Sequence, residues 1–396
     1  MSTSGGPAAP LAGVRVLDFT WVVAGPVATR TLADLGAEVI RVERRDSPDF
    51  GRRRGGLTGT LMRGKQSVVV DLARPEGRTL ARRLALRADV VADNFSARVM
   101  PSLGLDRASL MAERPDVITL RMTGFGLDGP DRDHVSYGPT LQALCGFPHA
   151  MAFAADAPIG PGYSYSDVAA GNLGALAVLA ALRHRRRTGE GMEIDLAQYE
   201  ALAALLGPLL LAEGPIGALG NASPEAPGAP HGVYPCAGDD RWIALTVLDE
   251  VAWRGFVAAL GAPAWTADPR FATGAGRLRH TEALDAHVTA WTRAQDADAA
   301  MALLQAHGVA AGRVADAADL CTRDPQLAAR GHFTHVATPD GDTVRVDGPG
   351  FRLSATPAAP RGPGPLLGEH TDAVLARVLG LDAATIAALR AAGVVA

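Results

Sequence analysis

The chain has 396 residues, 38 of them basic and 42 acidic, for a net charge of −4. That balance argues against nucleic acid or an anionic membrane as the partner, and the length exceeds one typical domain, so two packed units are expected. The three cysteines, Cys145, Cys236 and Cys321, form no CxxC and cluster with no histidine, so they read as reduced side chains of a cytoplasmic protein, with no zinc site.

The first residues, MSTSGGPAAPLAG, hold neither a basic start nor an apolar run, so no signal peptide is expected. Residues 14–19 (VRVLDF) form a short β-rich run, Pro26 suits the first turn of a helix reaching Leu35, Gly36 ends it, and residues 37–43 read as a second strand. This βαβ unit opens a parallel sheet. Its loop, TWVVAGP, carries Gly25 alone, without the G-x-G-x-x-G spacing that brings a dinucleotide pyrophosphate to the backbone, so NAD and FAD are not expected. Further strands are predicted at 67–71, 89–93 and 116–122, with a basic-faced helix over 75–87. Ligands of open parallel sheets bind beyond the carboxyl ends of the strands, so residues 20–26, 44–45, 70–72, 94–98 and 123–137 should converge on one crevice.

The stretch 163–182, YSYSDVAAGNLGALAVLAAL, predicts a helix with one carboxylate at its mouth. Ser166 is a good N-cap type, Asp167 falls in the first turn, and residues 168–182 carry no charge, so the helix is expected to be buried all round and too short to span a bilayer. The positive end of a helix favours an ionised carboxylate by about 0.3–1 kcal/mol, leaving Asp167 able to act as a nucleophile or base as well as a simple cap. The basic run RHRRR at 183–187 reads as a solvated face at the helix C-terminus. Residues 236–330 turn helical, at 250–260, 279–294 and 297–307. Short strands return in THVATPDG and DTVRVDG, and a terminal helical pair closes the chain. His231 and His370 read as structural histidines.

Several ordered motifs carry a resemblance: VLDFTWVVAGPVATRTLADLGAEVIRVERR, then NF at 94–95, GFGLDGP at 124–130, SYGPTLQALCG at 136–146, SYSDVAAGNLGALAVLAAL at 164–182, RRRTGEGMEIDLAQYEA at 185–201, APHGVYP at 229–235, DPRF at 268–271 and LGEHT at 367–371. Together they resemble the family III CoA-transferases, of the formyl-CoA and carnitine CoA-transferase type, whose relatives include α-methylacyl-CoA racemases. The resemblance implies an α/β fold: a Rossmann-like parallel-sheet large domain over 1–224, a smaller α+β domain over 225–330, and a C-terminal segment, 331–396, returning to the large one. It also implies an interlocked homodimer and substrates that are an acyl-CoA donor and a carboxylic acid acceptor, with coenzyme A carried between them and no metal.

Position by position, the resemblance makes Asp167 the nucleophile and Tyr137 part of the active-site wall. It lays CoA along Trp21, Val22, Val23, Ala24, Arg44, Val70, Asn94, Phe95 and Gln198. The 217–220 loop, with Gly220, is a candidate for stabilising an oxyanion. The chain departs from the formyl-CoA enzyme in having Trp21 for a histidine, Val23 for a glutamine and Val135 for a lysine, and it has Ser102 where many members have an arginine. These departures point away from a small polar acyl group and leave Arg44, Arg45 or the run 52–54 to hold the nucleotide end; Trp21, Phe147, Met151 and the small residues nearby suggest a mainly apolar acyl site, for a branched, aromatic or dicarboxylic acid. A racemase needs a His-Asp pair where this chain reads Tyr137-Gly138. A CoA-binding subunit of a hetero-oligomeric transferase is the remaining alternative, and an intact Asp167 counts against it.

Overall fold

The computed structural model describes residues 9–46, 49, 52, 56–152, 157–207, 228–338 and 341–396. The chain divides into one unit of Met1–Phe147, Gly160–Ala212 and Pro325–Ala396, and a second of Pro148–Ile159 and Glu213–Asp324.

Six strands build the sheet of the first unit: β1 (Arg15–Asp18), β2 (Glu38–Glu43), β3 (Lys65–Val69), β4 (Val90–Asp93), β5 (Ile118–Thr123) and β6 (Glu193–Ala197). All pairings are parallel, in the order β3-β2-β1-β4-β5-β6. Successive residues of a strand face opposite sides, and the two cores follow that alternation. Val16, Val39, Val90 and Ala92 pack with Leu32 and Val178 on one face, while Leu17, Ile40 and Val91 pack with Leu80, Leu84 and Ile386 on the other. β6 was not expected from the sequence. It is an edge strand, and Glu193 and Asp195 interrupt the apolar run that marks the buried strands. β3 starts two residues earlier than predicted because Lys65, a polar residue by type, lies fully inside the sheet.

The helices of this unit include α1 (Ala24–Asp34), α2 (Pro75–Ala85), α3 (Gly138–Leu144), α4 (Tyr165–Thr188) and α5 (Gln198–Ala203). Helix α4 corrects two expectations. Ser164 stands at its N-cap position where Ser166 was predicted, so Ser166 is inside the first turn. The helix is also covered on one side only: Gly171, Gly174, Val178 and Ala181 are buried, whereas Leu173 and Leu176 are 41% and 61% exposed. An uncharged sequence does not bury every face when α1 and the sheet supply neighbours on one side. At 24 residues α4 is long and apolar enough to cross a membrane by length and composition, longer than 168–182 suggested, and here it lies against α1.

The second unit carries an antiparallel sheet, β7 (His231–Pro235), β8 (Trp242–Thr246) and β9 (Ala310–Arg313). Its helices α6 (Glu250–Ala259), α7 (Thr281–Thr292) and α8 (Ala297–Ala306) close a core around Trp253, Phe256, Phe271, Leu284 and Leu304. The helix predicted over 279–294 is broken at His280, where the φ, ψ of −119°, 33° are not helical. His231 Nδ1 lies 2.9 Å from Thr246 Oγ1, a contact within this sheet. The C-terminal hairpin, β10 (Phe333–Ala337) and β11 (Thr343–Asp347), is followed by α9 (Thr371–Leu379) and α10 (Ala383–Ala391). The last residues return to the first unit's sheet, where Asp71 N–H donates to Val394 O at 2.9 Å.

Gly171 sets how closely α4 approaches α1. A Cβ there would lie 2.7 Å from Ala24 O and from Val27 Cβ. Alanine gains about 1 kcal/mol over glycine in helix propensity, but overpacking costs about 1–3 kcal/mol, so the clash outweighs the gain. Gly171→Ala is expected to lower the melting temperature by a few degrees, and an unchanged or raised melting temperature would contradict this packing.

Candidate active site

The strand order reverses between β1 and β4, and the loops leaving these two strands are tied to each other. Trp21 N–H donates to Asn94 Oδ1 at 2.8 Å, Asn94 Nδ2 donates back to Trp21 O at 2.9 Å, and the Trp21 and Phe95 rings lie 6.2 Å apart. Between Trp21 and α1 the backbone is strained. Val22 has φ +64°, a left-handed conformation that costs a β-branched residue roughly 1–3 kcal/mol. What holds it is Asp49, whose two carboxylate oxygens accept the Val22 N–H at 3.0 and 3.1 Å.

Asp49 belongs to a buried charge network. Arg41, 1% exposed, pairs with Asp49 and faces Asp18 at 3.7 Å and Glu43 at 3.5 Å. Asp18 accepts from Thr20 N–H at 2.8 Å, Thr20 Oγ1 at 2.6 Å, Thr29 Oγ1 at 2.8 Å and Lys65 Nζ at 3.0 Å. Burial pushes Asp18 up, but Lys65 and Arg41 outweigh it and hold the carboxyl below its usual range. Burial likewise brings Lys65 down to about 8, against the pull of Asp18.

Asp167 occupies a different environment. Among the described residues no cation pairs with it. Burial raises its carboxyl above the usual range, and Ser164, close enough to pull it partly back, completes no hydrogen bond of its own. Opposite stands Gly138: a Cβ there would lie 2.9 Å from Asp167 Oδ2, 2.8 Å from Ser166 Oγ and 1.5 Å from Ser164 Oγ. Ser166 Oγ and Gln142 Oε1 are likewise buried with no partner among the described residues.

Asp167 lines a cleft of about 250 Å³ together with Trp21, Val22, Val23, Ala24, Asn94, Phe95, Tyr137 and Gln198, all singled out from sequence. Gln198 is anchored by its Nε2, which donates to Met122 O at 3.3 Å. Arg44 and Val70 line a second cleft, of about 390 Å³, which shares Trp21 and Phe95 with the first. Ser102 lines neither cleft, and its hydroxyl donates to Val99 O. Arg52 is committed to Glu43 and to Pro365 O, and of the arginines expected to hold the nucleotide end Arg44 lines the second cleft. Gly220 and the 217–220 loop lie outside the described residues, as do Arg53 and Arg54. Arg132, His134 and Gly138 also line the first cleft. Arg132 and His134 fall inside the predicted 123–137 stretch but in none of the motifs, whereas Gly138 belongs to SYGPTLQALCG.

Comparison with known proteins decides the family. The description CoA-transferase family III matches residues 11–371. The chain belongs to CoA-transferase family III. A succinyl-CoA–D-citramalate CoA-transferase of Chloroflexus aurantiacus is 35% identical over 98% of this chain and 99% of its own length. A succinate–glutarate CoA-transferase of Agrobacterium fabrum is 33% identical over 93% of this chain and 96% of its own. A CAIB/BAIF family protein from Brucella suis has the same fold, with a TM-score of 0.84 at 30% identity over 94% of this chain and 100% of that one. The protein is therefore a CoA-transferase, an enzyme acting on CoA thioesters, and its six-stranded parallel sheet is that of the family.

In this family III enzyme the contact at Gly138 leaves no room for a methyl group beside Asp167. Gly138→Ala should displace the carboxylate or Ser164 and lower kcat roughly 100-fold, as a misplacement of about 1 Å does, with melting changed by only a few degrees. As the nucleophile that the sequence motifs imply, Asp167 would have to be ionised to react. Because burial raises its pKa, the acid limb of the kcat/KM profile is expected above the ordinary aspartate value, with activity rising as pH climbs through it. Ser164→Ala removes the influence that lowers this pKa and should shift that limb to higher pH. An unmoved limb would limit Ser164 to a structural role.

Proposed function

We propose that this family III enzyme moves CoA between carboxylic acids through covalent intermediates on Asp167. The observation carrying this reading is a partly buried carboxylate without a charge partner among the described residues, lining the cleft where the strand order reverses. A carboxylate stripped of water and of counter-charge is a better nucleophile than a solvated one.

One oxygen of Asp167 attacks the thioester carbonyl carbon of the donor. The C–S bond breaks and CoA leaves as the thiolate, giving a mixed anhydride between the donor acyl group and Asp167. The thiolate attacks the Asp167 carbonyl carbon, releasing the donor carboxylate and forming an aspartyl-CoA thioester. The acceptor carboxylate then attacks that thioester, giving a second mixed anhydride and free thiolate. Attack of the thiolate on the acceptor's carbonyl carbon makes the new acyl-CoA and restores the Asp167 carboxylate. No proton needs to be taken up or released, which suits a site with few titratable groups. Tyr137, exposed on the cleft wall, serves the oxyanions of these steps, where losing one donor typically costs about 3 kcal/mol.

CoA is extended, and the two clefts joined at Trp21 and Phe95 offer it an extended path. The acyl end lies with Asp167, Val22, Val23, Ala24, Asn94 and Gln198, and the nucleotide end runs past Val70 to Arg44, whose fork suits phosphate oxygens. The donor class we assign is a dicarboxylic acyl-CoA, supported by the succinyl, succinate and glutarate substrates in the relatives' names. The working form we assign is a homodimer in which a second copy covers the exposed apolar side chains of α4, among them Leu173 and Leu176.

Asp167→Asn and Asp167→Ala are expected to abolish CoA exchange from succinyl-CoA while leaving folding and CoA affinity largely intact. With wild type, quenching during turnover and digestion should give a peptide carrying CoA at Asp167 that hydroxylamine converts to a hydroxamate. Exchange at the native rate without this carboxylate, or deuterium wash-in at the α-carbon with no exchange onto any acid, would overturn the reading, the latter in favour of racemisation.

A further inference from the structure

We propose that Arg132 reads a second carboxylate on the acyl group, making it the residue that selects dicarboxylic over monocarboxylic acyl-CoA. The proposal rests on the CoA-transfer reading above. Among the described residues lining the Asp167 cleft, Arg132 is the one permanent cation and Asp167 the one carboxylate; the remainder are neutral or, at His134, titratable. A dicarboxylic acyl group brings an anion into a site that already holds one. Two like charges a few ångströms apart in a partly desolvated cleft repel strongly, so such a substrate needs a cation there.

Arg132 is available for that task, unlike the arginines beneath the clefts. Arg41, Arg52 and Arg121 are each bound to buried carboxylates. Arg132 has only a loose contact, with Asp133 at 3.7 Å, between side chains 56% and 51% exposed, and exposed pairs of that kind contribute little. Its donors are free to take a carboxylate as a two-pronged pair. The loop around it is fixed. His134 N–H donates to Asp131 O at 2.9 Å, its Nδ1 lies 3.2 Å from Asp131 Oδ1, and its ring meets Phe125 edge-on at 6.2 Å. The backbone carrying Arg132 is thereby held while the side chain keeps its reach.

The test compares kcat/KM for succinyl-CoA and for butyryl-CoA, which has a methyl group in place of the distal carboxylate, with one common acceptor, in wild type, Arg132→Gln and Arg132→Lys. The ratio of succinyl to butyryl is expected to fall about 30-fold in Arg132→Gln, the loss of one charge-assisted pair, and to recover in part in Arg132→Lys, which keeps the charge without the fork. A ratio within about twofold of wild type in folded Arg132→Gln overturns the proposal. Should Arg132→Gln fail to fold, an unchanged ratio in Arg132→Lys overturns it equally. No exchange by wild type from either donor onto any acid overturns the CoA-transfer reading itself, a result distinct from an unchanged ratio in a working enzyme.

Discussion

One carboxylate, Asp18, holds together the parts on which the cleft is built. It ends β1, accepts from Thr20 of the following loop and Thr29 of α1, takes the ammonium of Lys65 from β3, and faces Arg41 of β2. Three further elements, α1, β2 and β3, are thereby tied to a single buried anion. Removing one member of such a group leaves an uncompensated charge in a dry interior, at a cost of about 3–5 kcal/mol, so the network acts as a unit. Through Arg41 it reaches Asp49, and through Asp49 it holds Val22 in a backbone conformation that the residue does not favour.

The strain at Val22 falls at the wall of the cleft, where a rigid backbone matters most. The Trp21–Asn94 pair fixes the loop from the opposite side, so the loops after β1 and β4 form one surface. Asp167 is treated in the opposite way from Asp18. Burial without a counter-charge raises its pKa, and Ser166 Oγ in the same helical turn stays unsatisfied among the described residues. Buried polar groups left unpaired cost stability.

Thioester exchange has to keep its energy away from water, and this fold separates the roles by charge. Asp18, which builds the scaffold, is surrounded by cations and donors, whereas Asp167, lining the cleft, has no cation partner among the described residues. The arginines divide likewise: Arg41 and Arg121 are inside and committed, Arg132 is outside and loosely held.

The strand and helix runs, the gathering of 20–26, 94–98 and 123–137 at one cleft, and the place of Asp167 in the first turn of a long apolar helix were legible in the sequence because each depends on local periodicity or on ordered motifs, whereas the strand order and the placing of Arg44 and Val70 in a second cleft were not. β6 was hidden by two outward-facing carboxylates at a sheet edge, and the one-sided cover of α4 could not be read from a composition that is the same on every face. The Asp18–Lys65–Arg41–Asp49 network, the contact between Gly138 and Asp167 and the availability of Arg132 were decided by tertiary structure alone. Each joins residues across loops and strands, and a charged residue in a sequence looks the same whether it is buried and paired or free beside a substrate.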